Sequence, residues 1–231
     1  MHLHRRAAGA LMATFIASTP SLAEPPSAVG VTDRGVCSGV PGCRVRAHAD
    51  VNGDGTRDVV ATAGRGGGSG RVVVVRVKTG PGRILSVRRP APYWPGGLWH
   101  GVAGLDGRRG KEIVVGYTAG AHTLLFRALT WRAGALRTLG APGPGRAWAV
   151  DSAVSVSLGW QRRPGEDVGT IRRRYAVRTG DPVTSPFTGT ITRYRWTPDR
   201  WRKVGARTID PLRARTAYAW GGFHVPGLAR W

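Results

Sequence analysis

The residues of this chain best suited to chemistry lie in one stretch, Asp50-Val51-Asn52-Gly53-Asp54-Gly55-Thr56-Arg57-Asp58. Side-chain oxygens fall at its first, third, fifth and ninth positions. A hard cation such as Ca²⁺ takes about six to eight oxygens at ~2.3–2.6 Å, and a short loop wraps one by turning every second residue inward. Asp50, Asn52 and Asp54 meet that spacing. Gly55 permits the sharp turn, Thr56 can offer its backbone carbonyl, and Asp58 can close the shell. The helix-flanked calcium loop ends in a Glu at about its twelfth position, whereas Ala61 stands there in this chain. The flanks, Arg44 to Ala47 and Val59 to Thr62, read as strands. The expectation is a calcium loop between two strands rather than a bare surface turn.

Nothing else in the sequence states a chemistry so directly. His48, His100, His122 and His224 form no pair at metal-ligand spacing, and no hydrolase or phosphate-loop signature occurs. The glycine run from Gly64 to Gly70 is followed by a strand pattern and reads as a hairpin turn. Glu166 and Asp167 are adjacent, so in a strand they would face opposite ways. Trp94, Trp99, Trp148, Trp160 and Trp220 fall near expected turns or strand starts, where an indole can stack on a sugar or base. Trp131 and Trp196 hold equivalent strand positions, which favours core packing. Arginines interleaved with aromatics, as in Arg193-Tyr194-Arg195-Trp196, suit a nucleic-acid surface, but plain strand alternation produces the same pattern.

The elements that must position the loop repeat along the chain. From Arg44 the sequence reads strand, acidic loop, strand, glycine turn, long strand, turn and return strand. A second copy centres on Gly104-Leu105-Asp106-Gly107-Arg108-Arg109-Gly110-Lys111-Glu112 and a third on Gly159 to Asp167. Asp58 and Glu112 are 54 residues apart, as are Val77 and Trp131, and two landmarks at one offset mark a repeat. Four-stranded repeats near this period are propeller blades, which cannot bury both faces alone. The fold class expected is therefore all-β and propeller-like, with repeats of about 54 residues at roughly 44–97, 98–145 and 146–205. A fourth blade built from the tail, 206–231, and strands from residues 24–43 would close the ring and remove its edges. An open stack of three sheets is the competing architecture.

The loop and its repeats resemble the FG-GAP/VCBS family, whose blades carry Asp-x-Asn/Asp-x-Asp-Gly-x-x-Asp calcium loops and whose members include the integrin α-chain head. The resemblance is close over Asp50 to Val60 and weak over residues 98–205; the Arg-rich composition is similar to that of secreted actinobacterial proteins with such repeats. It implies one Ca²⁺ held by Asp50, Asn52, Asp54 and Asp58 and the Thr56 carbonyl. The other two loops depart from the pattern. Each lacks the first carboxylate and has an arginine, Arg108 or Arg163, where Asp54 stands. A divalent ion beside a guanidinium meets like charge, so no metal is expected there. Arg108 is expected to pair with Asp106 and Glu112, and Arg163 with Asp167, each placing a fixed cation in the ion's position.

Composition bounds the setting. The basic start Met1 to Arg6, the small apolar run to Thr19 and Ser21-Leu22-Ala23 read as a cleaved export signal over residues 1–23. Residues 24–43 form a lead-in, and Cys37 and Cys43 are expected to form a disulfide in an oxidising compartment. No remaining apolar run is long enough for a membrane helix. The chain carries 231 residues and a formal charge of +22, dominated by arginine, which attracts polyanions. Together these describe a secreted, monomeric, calcium-stabilised module over 44–231 that binds an extracellular ligand or serves structure, without catalysis. The alternative is a polyanion- or glycan-binding protein, and the third is a secreted hydrolase with a site assembled from distant loops.

Overall fold

A computed structural model describes residues 33–80 and 82–230. The expected leader, residues 1–23, and the first part of the lead-in, 24–32, lie outside the described residues. The fold is all-β. Strands β1 (Arg44–Ala49), β2 (Asp58–Arg65), β3 (Val72–Thr79) and β4 (Arg83–Pro90) form an antiparallel sheet in chain order. A second unit follows the same path with β5 (Trp99–Ala103), β6 (Glu112–Ala119), β7 (Thr123–Arg132) and β8 (Ala135–Leu139). After β9 (Trp148–Ser152), a third unit runs β10 (Val156–Gln161), β11 (Thr170–Arg178), β12 (Phe187–Trp196) and β13 (Trp201–Leu212). A short helix, α1 (Ala214–Tyr218), and β14 (Gly222–His224) complete the chain.

Burial follows the side-chain alternation. Val73, Val75 and Val77 of β3 are fully buried in the main core, together with Val60, Leu105, Ile113, Leu129, Trp148 and Trp160. Strand β2 is covered on both faces. Val60 enters the main core, while Val59 and Ala61 face the opposite way onto Val36 and the Cys37–Cys43 disulfide, whose Cα atoms are 5.4 Å apart. A continuous apolar run is what a strand buried on two sides requires. The disulfide thus caps a satellite core that a short lead-in could not build alone. Among the described residues, no helix is long and apolar enough to cross a membrane.

Two features correct the expected closure. First, β9 pairs with the leading half of β7 and with β10, while β8 pairs with the trailing half of β7, so the second and third units share one ten-stranded sheet. Second, among the described residues the tail builds no fourth blade. Strand β14 lies parallel to β10, and Gly227 to Ala229 hydrogen-bond with His100 and Val102 of β5. The tail therefore satisfies the inner edges of the second and third units, and the described residues form a propeller-like arrangement that is open. Its outer edge, β13, is exposed from Arg202 to Thr208 and carries Arg202, Lys203 and Arg207, charges that discourage pairing with another strand.

Candidate metal centre

The Asp50–Asp58 loop joins β1 to β2. Asp58, the first residue of β2, is completely buried, and its Oδ2 accepts hydrogen bonds from the amides of Val51 (2.8 Å) and Asn52 (3.2 Å). That pair of bonds ties the start of the loop to its end. Asp50 accepts from the amides of Gly53 (2.6 Å) and Gly55 (3.0 Å). Asn52 Oδ1 accepts from the Asp54 amide, its side-chain NH₂ donates to Asp54, and Asp54 in turn accepts from the Thr56 amide. Asp50, Asn52 and Asp54 thus each accept a backbone amide of the loop itself.

Two observations bear on whether these residues fit a cation. The donor set is all oxygen, and Asp58 Oδ1 is buried without a hydrogen-bond partner, a costly state for a carboxylate oxygen. Burial foremost, and the negative charges of Asp54 and Asp50 behind it, push the Asp58 carboxyl up; a cation would relieve both effects. Against this, no three His, Cys, Asp or Glu side chains among the described residues converge closely enough to hold a metal. The oxygens of the loop's side chains accept its own amides instead. The set fits Ca²⁺ in donor type and charge, but does not form a closed shell.

The second loop has the same anchor. Glu112 opens β6 and accepts from the Leu105 amide at 2.5 Å; Leu105 and Glu112 lie 54 residues after Val51 and Asp58. Its other oxygen, Oε1, accepts from the Thr130 hydroxyl at 2.9 Å. Desolvation, then the Asp106 charge, raises the Glu112 carboxyl to about 7. The expected cation is present but is a different residue. Asp106, its side chain fully buried, pairs with the Arg132 guanidinium from β7. Arg108 instead sends its guanidinium to the Pro198 carbonyl and gives Asp106 only its backbone amide. Arg132 arrives from a neighbouring strand, which sequence spacing within the loop cannot reveal.

The third loop differs more. Gly159 and Gln161 belong to β10, and the loop is Arg162 to Gly169. Thr170, not Asp167, opens β11. Asp167 has a side chain 82% exposed and meets Arg195 at 3.5 Å rather than Arg163. Arg163 donates its backbone amide to Glu166, which is clasped by the Arg172 guanidinium (2.5 Å). A polar rather than carboxylate residue at the strand start removes the anchor, so Glu166 closes the loop from within.

The three loops stack. The Lys111 amide donates to the Asp50 carbonyl at 2.8 Å. Gly110, at φ +92°, lies so close that a Cβ would sit 2.5 Å from the Val51 carbonyl oxygen. Gly107 similarly abuts Val168 and Gly169 of the third loop. Glycine is required at such approaches because any side chain would collide with backbone. The first loop is thereby braced by the second, and the second by the third.

Several other expectations resolve as packing. Trp94, Trp148, Trp160 and Trp220 are buried, and the indole N–H groups of Trp94, Trp148 and Trp160 donate to backbone carbonyls, so these four are core residues rather than ligand-stacking faces. His48 meets Asp33 at 2.6 Å.

A propeller-like all-β chain with an Asp-rich loop between the first two strands of a blade defines a class of repeat module. Residues 47–75, from the end of β1 through the loop and β2 into β3, match the family model described as FG-GAP repeat. No curated protein and no solved structure matches the chain.

Proposed function

We propose that this chain is a secreted, non-catalytic β-propeller-like module in which one Ca²⁺ at the first loop stabilises the first blade. The ligands would be the side chains of Asp50, Asn52, Asp54 and Asp58 and the carbonyl of Thr56. The observation that carries this reading is Asp58: a wholly buried carboxylate with one oxygen clamped by two amides and the other unmatched, inside the segment that matches the FG-GAP repeat. Calcium bound there supplies positive charge to a site that otherwise holds three carboxylates. Because the second loop packs on the first through Lys111 and Gly110, the benefit extends to the neighbouring blade.

Thermal melts with and without Ca²⁺ test this. At ~10 mM Ca²⁺ and a dissociation constant of about 10⁻⁴–10⁻³ M, the expected for extracellular modules, mass action gives roughly 1.4–2.7 kcal/mol. The midpoint should rise by several degrees in the native chain and not in Asp54→Ala. A native protein indifferent to Ca²⁺ would falsify the calcium reading. The second reading, an acidic ligand, is favoured by the charge of +22 and by arginines left without partners between the second and third units.

A further inference from the structure

The seams between successive units use arginine in opposite ways. Between the first and second units the guanidinium groups are engaged. Arg83 and Arg89 of β4 reach across to the carbonyls of Gly134 (3.3 Å) and Leu136 (3.4 Å), and Arg83 also lies over the Trp131 ring. Between the second and third units a pocket of about 480 Å³ opens, bounded by β7, β8, the loop after β8 and the β12–β13 hairpin. Arg137, Arg146 and Arg200 line it, and among the described residues none of the three makes a side-chain hydrogen bond or ion pair. The fourth arginine there, Arg132, is committed to Asp106. Asp199 is the single carboxylate in the lining, so three free guanidiniums face one negative charge.

Two tryptophans, Leu139, Ala141 and Pro142 supply the apolar part of the wall, beside Thr130 and Thr138. Trp196 and Trp201 meet edge to face with ring centroids 5.1 Å apart. The Trp201 indole N–H donates to the Gly140 carbonyl at 2.9 Å, fixing the third unit to the second. The Trp196 indole N–H is a buried donor with no acceptor among the described residues. On the other side, the loop after β8 closes through an amide–carbonyl bond from Ala141 to Arg146 (2.9 Å), and Arg146 is held at φ +51°. A non-glycine residue in that left-handed region is uncommon and costs energy, and such strain gathers where a side chain must be aimed.

We propose that this pocket binds a sugar phosphate. Its volume lies within the roughly 300–1,000 Å³ of small-ligand sites. Three guanidinium forks match the three terminal oxygens and near-double charge of a phosphate monoester better than the two oxygens of a carboxylate. The indole and aliphatic wall accepts a ring face. The site needs both units, and it shares no lining residue with the Asp50–Asp58 loop. The inference deepens the acidic-ligand reading and stands apart from the calcium reading.

Calorimetric titration of the full chain at physiological salt, which suppresses loose adhesion to a basic surface, tests it. Glucose 6-phosphate and adenosine monophosphate are the ring-bearing probes, with glucose and inorganic phosphate as halves. Saturable binding of either whole probe, at least about tenfold tighter than both halves, supports the site, and the probe that wins identifies the source as a hexose phosphate or a nucleotide. Arg137→Gln/Arg200→Gln should weaken it by about tenfold or more, the scale of losing charge-assisted hydrogen bonds. Arg202→Gln/Arg207→Gln, an equal charge loss on exposed β13, should change it less than about twofold, as for a distant site. Arg137 and Arg200 are exposed, so their variants should melt with the native chain; if the pair does not, each single variant is titrated instead. No saturable binding, equal binding of inorganic phosphate, or equal loss in the β13 control overturns the proposal. Titrations run with Ca²⁺ and with chelator keep a failure of this pocket separate from a failure of the metal loop.

Discussion

The first and second loops share a scaffold and differ in what neutralises it. In both, the residue that opens the second strand is a buried carboxylate whose oxygen accepts the amide seven residues earlier, from Val51 in one and Leu105 in the other. In the second loop the remaining oxygen of Glu112 is met by Thr130, and the neighbouring carboxylate of Asp106 by Arg132. In the first loop Asp58 Oδ1 is met by nothing among the described residues. The longer Glu side chain reaches a hydroxyl on β7, whereas the shorter Asp stops inside its loop. A protein-supplied cation completes one site, and a solvent-supplied one is proposed to complete the other.

The comparison breaks most visibly at the anchors. Asp58→Ala leaves a buried and a half-buried amide unmatched and Glu112→Ala leaves one amide and a hydroxyl, so each should cost about 2–4 kcal/mol in denaturant unfolding. Similar losses establish a common structural role, and a negligible loss at either position refutes the shared anchor there. Next, Arg132→Met strands the buried Asp106 charge and should cost about 3 kcal/mol, whereas Arg132→Met/Asp106→Asn should recover much of that. Arg108→Met should cost well under 1 kcal/mol as an exposed residue; a larger loss than for Arg132 would return the cation's role to Arg108.

Smaller effects sharpen the picture. Removing the disulfide as Cys37→Ser/Cys43→Ser should lower stability by roughly 2 kcal/mol for so short a loop, leaving the energetics of the second loop unchanged. The pH dependence is subtler. A carboxyl raised to about 7 in the folded chain binds its proton more tightly folded than unfolded. The stability it contributes is full below its ordinary value near 4.5 and is lost as pH rises to about 7. Glu112→Gln should therefore flatten the fall in melting temperature between those limits, while Asn at Asp106 should lessen it in the same direction. An unchanged slope in Glu112→Gln would place the titration elsewhere.

Much of this was legible in one dimension because it depends on short-range rules. Alternating Val runs and Gly turns define the strands, a constant offset defines the repeat, and oxygens at alternate positions mark the loop between the first two strands. The Cys37–Cys43 bridge joins the chain's two cysteines, which allow one pairing in an oxidising compartment. In the third copy Glu166-Asp167 resembles a loop end by register, yet Thr170 is the residue that opens the strand. Only in three dimensions does Thr170 take the place that Asp58 and Glu112 hold.

The sequence by itself determined the all-β repeat, the acidic loop and the disulfide, since each rests on residues close together along the chain. Tertiary structure alone decided which guanidinium sits beside Asp106, how β9 fuses two units, and where the tail packs. It also decided that three arginines separated by up to 63 residues share one pocket. Those outcomes depend on strands brought side by side from distant parts of the chain. Any of the many arginines could have served until packing chose among them.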